Sequence, residues 1–289
     1  MDFQQPQSWL EAVQTKAAHP DAAPIQGGTD VMVELNFDHR RPEVLLDLAG
    51  VAELAEWSED GDQVRIGAGV TYTRLIQDLG GRLPGLALAS RTVGSPQIRN
   101  RGTVGGNLGT GSPAGDCHPA LLAAYAVVEV ESVRGTREIP VDEFFTGVKR
   151  TALEPDELIK SVLVRPPAGP QQFSKIGTRN AMVIAVAAFG LALHPDRRSV
   201  GTGIGSAAPT PRRARAAEDA LAGELSAAGL WDSRADIPDR LAERFADLVG
   251  QAADPIDDVR GTAAYRRHAL RVMARRALGW AWTDYQRAA

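Results

Sequence analysis

Between Gly94 and Gly115 the chain is rich in Gly, Asn, Ser, Thr and Pro, yet apolar segments flank it on both sides. A long segment of this kind inside a compact region is usually kept for function. It reads Gln97-Ile98-Arg99-Asn100-Arg101-Gly102-Thr103-Val104-Gly105-Gly106-Asn107-Leu108, continuing to Gly111-Ser112-Pro113-Ala114-Gly115-Asp116. Three glycines within five residues, bracketed by Arg101 and Asn107, can turn N–H groups inward as a nest for an anion. The same pattern also fits a plain glycine-rich turn. Asp116 suits sugar hydroxyls, or else caps a helix starting near His118.

A second glycine loop lies upstream: Pro24-Ile25-Gln26-Gly27-Gly28-Thr29-Asp30-Val31. Glycines there allow a sharp turn and close approach of backbone to a ligand. The helix expected next, over Val31–Leu35, would offer unpaired N–H groups that suit a phosphate. A ligand-free strand-to-helix turn is the alternative, but two such loops in one chain favour a ligand. Neither loop is a G-x-G-x-x-G or G-x-x-x-x-G-K-[ST] fingerprint, and no G-x-S-x-G elbow is present.

At ~150 residues per domain, 289 residues imply about two domains. Hydrophobic residues at 44% and charged residues at 24% describe a globular chain. A net charge of -4 fits poorly with a nucleic-acid binder. The lone cysteine, Cys117, excludes an intrachain disulfide, and also a zinc ribbon or iron–sulfur cluster held by this chain alone. It points to a reducing cytoplasm, and the N-terminus lacks the basic region of a secretory signal. The apolar run Ala181–Leu193 is well short of the ~20 residues a membrane span needs and reads as a buried strand.

Helices are expected over Ser8–Ala18, Thr71–Leu79 and Ala120–Ala126, with strands at Val44–Leu48, Val64–Val70 and Leu158–Val164 and a hairpin from Val127. Pro166-Pro167-Ala168-Gly169-Pro170 is the linker candidate. Beyond it three strands (173–176, 183–193, 200–204) precede three helices (214–230, 240–249, 263–278), an α+β pattern. Gly201-Thr202-Gly203-Ile204-Gly205 lets a strand pack closely. Arg266, Arg267, Arg271, Arg275 and Arg276 form either a solvated basic face or a partner contact.

Together these loops resemble the FAD-binding (medium) subunit of the molybdenum hydroxylases, the group of the carbon monoxide dehydrogenase medium chain and the xanthine dehydrogenase FAD domain. Gly27–Asp30 matches that family's Gly-Gly-Thr-Asp loop. Arg99–Leu108 matches its Arg-Asn-x-Gly-Thr-(Ile/Val)-Gly-Gly-Asn-Leu signature, and Ser112–Asp116 its Ser-Pro-x-x-Asp. Phe173–Arg179, Ala207–Ala214 and Tyr265–Leu278 resemble its later elements in the right order. The resemblance implies an α+β fold: a two-part α/β FAD-binding domain of the PCMH type over 1–167, then a smaller domain of antiparallel sheet plus helical bundle over 171–289. It implies FAD held at Pro24, Ile25, Gln26, Gly27, Gly28, Thr29, Asp30 and Val31 and at Thr103, Val104, Gly105, Gly106 and Asn107. Asp116 would bind on the adenosine side, and Ile159 and Lys175 near the flavin. No catalytic residue or metal ligand is implied in this chain.

The resemblance further implies a large molybdopterin subunit and a small [2Fe–2S] subunit as partners, with electrons passing from the clusters through FAD to NAD or another acceptor. Where many members carry Asp-Ile-Ala, this chain has Val183-Ile184-Ala185. That change bears on NAD as the oxidant, unless Val183 is simply core. A stand-alone flavoenzyme with its own substrate is the alternative function, although no acid or base stands out for it. A scaffold that has lost its flavin is disfavoured by the intact glycine loops.

Overall fold

Local capping and apolar spacing set most of the elements. A computed structural model describes residues 1–288. Strand β1 (Asp2–Gln4) leads into α1 (Trp9–Ala18), whose N-cap Ser8 accepts the Glu11 N–H. Helix α1 buries Trp9, Ala12, Val13 and Lys16, one helical face. β2 (Ala23–Ile25), α2 (Val31–Asn36) and β3 (Val44–Asp47) follow. β3 lies between β1 and β2, and all three strands run parallel.

The hairpin of β4 (Trp57–Asp60) and β5 (Gln63–Gly67) begins a second sheet. Next come α3 (Tyr72–Asp78), capped by Thr71, and α4 (Pro84–Arg91), opened by a proline at its first position. The glycine-rich stretch is not the structureless loop that its composition predicts. It contains α5 (Pro96–Arg99) and α6 (Val104–Thr110). Ser95 and Thr103 accept N–H groups of Ile98 and Gly106, so caps recover helical turns from a sequence of low propensity.

Helix α7 (His118–Ala123) starts two residues before the expected Ala120, because Pro119 suits a first turn. β6 (Val127–Ser132) and β7 (Gly135–Pro140) form the expected hairpin. A short helix α8 (Val141–Phe144), the strands β8 (Phe145–Gly147) and β9 (Arg150–Thr151), and β10 (Leu158–Val164) complete this half. The second sheet is antiparallel in the order β4-β5-β10-β6-β7.

The segment after Val164 carries no helix or strand until β11 (Gln171–Ile176). β12 (Ala187–His194) and β13 (Ser199–Gly205) extend it into an antiparallel sheet. Helices α9 (Arg215–Ala227) and α12 (Ala263–Arg287) pack on that sheet, with α10 (Leu230–Ser233) against α9 and α11 (Asp239–Ala252) against α9 and α12. Among the described residues no helix is long and apolar enough to cross a membrane.

Two expectations need correction here. The strand expected from Val183 begins at Ala187. Met182 has a left-handed backbone (φ 50), and Met182 and Ile184 are exposed, so the chain turns before it extends. Val183 is half-buried against Gly177 and lies in neither buried core. Arg266 does not belong to a solvated basic face: it is 2% exposed, pairs with Asp258 at 2.5 Å and donates to the Val186 and Ser206 carbonyls. These three acceptors make a buried guanidinium tolerable. Arg271 and Arg275 remain exposed, paired with Asp247 and Asp239.

The two halves meet where α7 packs on β12 and β13. Methyl groups at Gly190 or Gly203 would strike the Pro119 carbonyl, and one at Gly201 would strike that of Ala123. The strand glycines therefore allow the close packing expected of them. His194 Nε2 faces the Ala123 carbonyl at 3.0 Å, and the Tyr125 hydroxyl donates to Val200 O at 2.8 Å. Arg213 stacks over the Tyr125 ring at 4.4 Å. Gly203→Ala is expected to cost about 1–3 kcal/mol through overpacking. A thermal melt checks it, with Gly223→Ala on the open face of α9 as the control that leaves the midpoint unchanged or higher.

Candidate functional site

The floor of the principal cleft is backbone laid against backbone. Gly105 N donates to Ala68 O at 2.9 Å, Val104 N to Val70 O at 3.2 Å and Gly69 N to Leu54 O at 2.8 Å. A methyl at Gly27 would collide with the Arg101 carbonyl, so the two glycine loops touch directly. The cleft they bound has a volume of about 370 Å³.

From the first loop Pro24, Gln26, Gly27, Gly28, Thr29, Asp30 and Val31 line it. From the second come Thr103, Gly105, Gly106 and Asn107, and Ile159 joins from β10. Ile25, Val104, Asp116 and Lys175 are not in the lining. Ile25 pairs with Asp47 in the parallel sheet, and Val104 is fully buried in the core beneath.

The two loops differ in what they can donate. N–H groups of Val104, Gly105, Gly106 and Asn107 already serve Val70, Ala68, Thr103 Oγ1 and Thr103 O. Among the described residues, those of Gly27 through Val31 have no protein acceptor. An anion therefore finds free donors on the first loop, while Gly106 on the second offers close approach. A methyl at Gly106 would meet only Thr103 Oγ1, at 3.1 Å. Gln26 Oε1 and Asn107 Oδ1 are buried in the cleft wall with no partner. Leu48, Leu54, Leu153, Leu158 and Ile159 supply apolar surface for a ring system.

Sequence motifs did not reveal the charged rim. Glu34, Arg40 and Lys149 line the cleft, yet each stands in an ordinary local sequence. Burial lifts the Asp30 carboxyl above its usual range, and the Thr110 hydroxyl beside it pulls the other way.

Asp116 and Lys175 find each other rather than the cleft. Lys175 Nζ donates to Asp116 Oδ2 at 2.8 Å and to Thr92 O at 3.2 Å, with both side chains largely buried. Asp116 does not cap α7. Burial pushes its carboxyl up to about 6 despite the lysine. Its neighbours serve separate ends. Cys117 Sγ lies 3.7 Å from Ser90 Oγ, its thiol pushed up to about 12 by burial. His118 Nε2 lies 3.2 Å from Asn107 O. A carbonyl only accepts, so that nitrogen carries the proton, and burial holds the ring near 4, neutral at neutral pH. A methyl at Gly115 would collide with this ring, so the glycine makes room for the brace beneath Asn107.

Comparison with known proteins gives this site a family. Residues 1–167 match the FAD binding domain in molybdopterin dehydrogenase, and residues 172–281 match the CO dehydrogenase flavoprotein C-terminal domain. The chain is 32% identical over 281 residues to the nicotine 6-hydroxylase medium subunit of Paenarthrobacter nicotinovorans, covering 96% of this chain and 95% of that one. It is 37% identical over 210 residues to the nicotinate dehydrogenase FAD-subunit of Eubacterium barkeri, covering 70% and 71%. A solved structure of carbon monoxide dehydrogenase from Hydrogenophaga pseudoflava, lacking the Mo-pyranopterin moiety of its molybdenum cofactor, aligns with a TM-score of 0.88 at 30% identity over 98% of both chains. The chain belongs to the FAD-binding subunits of the molybdenum hydroxylase family, the flavoprotein components of oxidoreductases. The free N–H groups, the two orphaned side-chain oxygens and the apolar wall fit FAD.

Gly106→Val is expected to fold with a near-native melt yet fail to retain FAD, whereas Gly105→Ala, pressed on Ala68, lowers the thermal midpoint. Flavin absorbance of the purified variants, read beside their melts, separates the two effects. Asp116 gives a pH prediction. Its folded value of about 6 lies above the ordinary 3.8, so its contribution to stability is full below 3.8 and lost as pH rises through 6. Across that interval wild type should lose stability relative to Asp116→Asn, read from denaturant midpoints at each pH.

Proposed function

We propose that this chain is the electron-transfer subunit of a three-part molybdenum hydroxylase. A large partner oxidises the substrate at molybdopterin, and a small partner relays electrons through [2Fe–2S] clusters. FAD in this chain passes them to an external acceptor. Bound flavin supplies the step between one-electron carriers and a two-electron acceptor. The observation that carries this reading is the cleft with free N–H groups from Gly27 to Val31, within a chain of this family.

The chain's own residues then bind and orient. Gly27–Val31 hold the diphosphate through those N–H groups, with Pro24 and Gln26 lining the cleft beside them. Thr103–Asn107 contribute the Asn107 side chain and the close approach at Gly106. Ile159 and its apolar neighbours pack on the ring. Lys175 and Asp116 act as one unit behind the cleft wall, joining the parts spanning 1–167 and 171–289. Val183 stands where many relatives carry a carboxylate, so the acceptor is one that does not depend on that charge. That exchange bears against NAD, so NAD is tested beside oxygen as acceptor.

Native purification tests the reading. The expected product shows a flavin absorption spectrum and travels with a large molybdenum-containing chain and an iron–sulfur chain. A flavin-loaded chain that is alone and fully active on its own substrate would overturn it.

A further inference from the structure

Nothing in the diphosphate reading uses the charged rim of the cleft. Glu34 on α2 and Lys149 in the turn between β8 and β9 both line it. Lys149 Nζ donates to Glu34 Oε1 at 2.9 Å, joining residues 115 positions apart.

Helix α2 has little to hold it in place. It has six residues, below the ~12–15 that an isolated helix needs. None of its residues is buried, and Asp30 at its N-cap makes no capping bond. Met32, Val33 and Phe37 are exposed. The opposite side is firmer. Lys149 N donates to Gly111 O at 3.1 Å, and Lys149 itself is left-handed at φ 52. A non-glycine residue stays in that region only where its surroundings hold it.

We propose that the Glu34–Lys149 pair is a clasp. It ties the weakly packed α2 to the fixed turn at 147–150, closes the cleft over FAD, and sets the rate at which flavin leaves. This rests on the cleft being the FAD site. The two side chains are 57% and 24% exposed for lysine and glutamate, so the pair adds little to folding and is sensitive to salt.

The test uses the flavin-loaded protein with whatever subunits accompany it, as wild type, Glu34→Gln, Lys149→Met and the charge-swapped Glu34→Lys/Lys149→Glu. Each is mixed with an excess of an apo-flavoprotein scavenger, and FAD release is followed by fluorescence. Melts of the flavin-free forms run alongside. Each single substitution should release FAD roughly threefold to fivefold faster, and the swap should return to within roughly twofold of wild type, with melting midpoints unchanged. Raising salt from about 50 mM to about 500 mM should speed release from wild type but not from the single variants. Equal release from wild type and single variants, or a swap as fast as the singles, overturns the clasp while FAD binding stands. A wild type that never acquires flavin overturns the FAD reading and takes the clasp with it.

Discussion

Close contact of backbone with backbone beneath the cleft is the constraint on which the structure depends. Gly105 sits on Ala68, Gly27 on the Arg101 carbonyl and Gly69 on Leu54. Ala68 and Val70 satisfy the N–H groups of Gly105 and Val104, and Thr103 satisfies those of Gly106 and Asn107. The first loop's N–H groups from Gly27 to Val31 have no protein acceptor among the described residues. A single side chain at these points would separate the layers and blur that division between a structural loop and a donating one. Backbone hydrogen bonds at Gly105, Val104 and Gly69 hold the cleft floor in place before any ligand arrives.

The same logic joins the two halves of the chain. Helix α7 is pressed onto β12 and β13 at glycines, while its first residue, His118, braces Asn107 in the cleft wall. Asp116, two residues earlier, reaches Lys175 on β11. Ser206, just after β13, donates its N–H to Pro113 O at 2.8 Å. The segment 113–118 therefore links the C-terminal sheet to the wall of the cleft. A C-terminal part packed this way is part of the site's support rather than an appendage.

Much of this was legible in the sequence. Both glycine loops reach the cleft, and of the loop residues expected to hold FAD, 24–31 and 103–107, all but Ile25 and Val104 line it. Strands with period-two burial and helices with clean caps lie within a few residues of expectation, except that α12 runs past the expected Leu278 to Arg287. The failures share a cause. Composition makes 94–115 look irregular, but Ser95 and Thr103 cap two short helices within it. An apolar run suggests a strand from Val183, yet a left-handed Met182 delays it. Arg266 resembles its exposed neighbours on α12 and is nevertheless buried, bound to the distant Val186 and Ser206 carbonyls and to Asp258.

The sequence by itself determined the family, the α+β plan and the two loops able to approach an anion. Each of these depends on the conformational freedom of neighbouring residues, which is written locally. Only the tertiary structure decided which loop keeps its N–H groups free, that Asp116 answers Lys175 across 59 positions, and that Glu34 faces Lys149 across 115. Those pairings are set by where the folded chain brings remote charges together, and no local spacing encodes them.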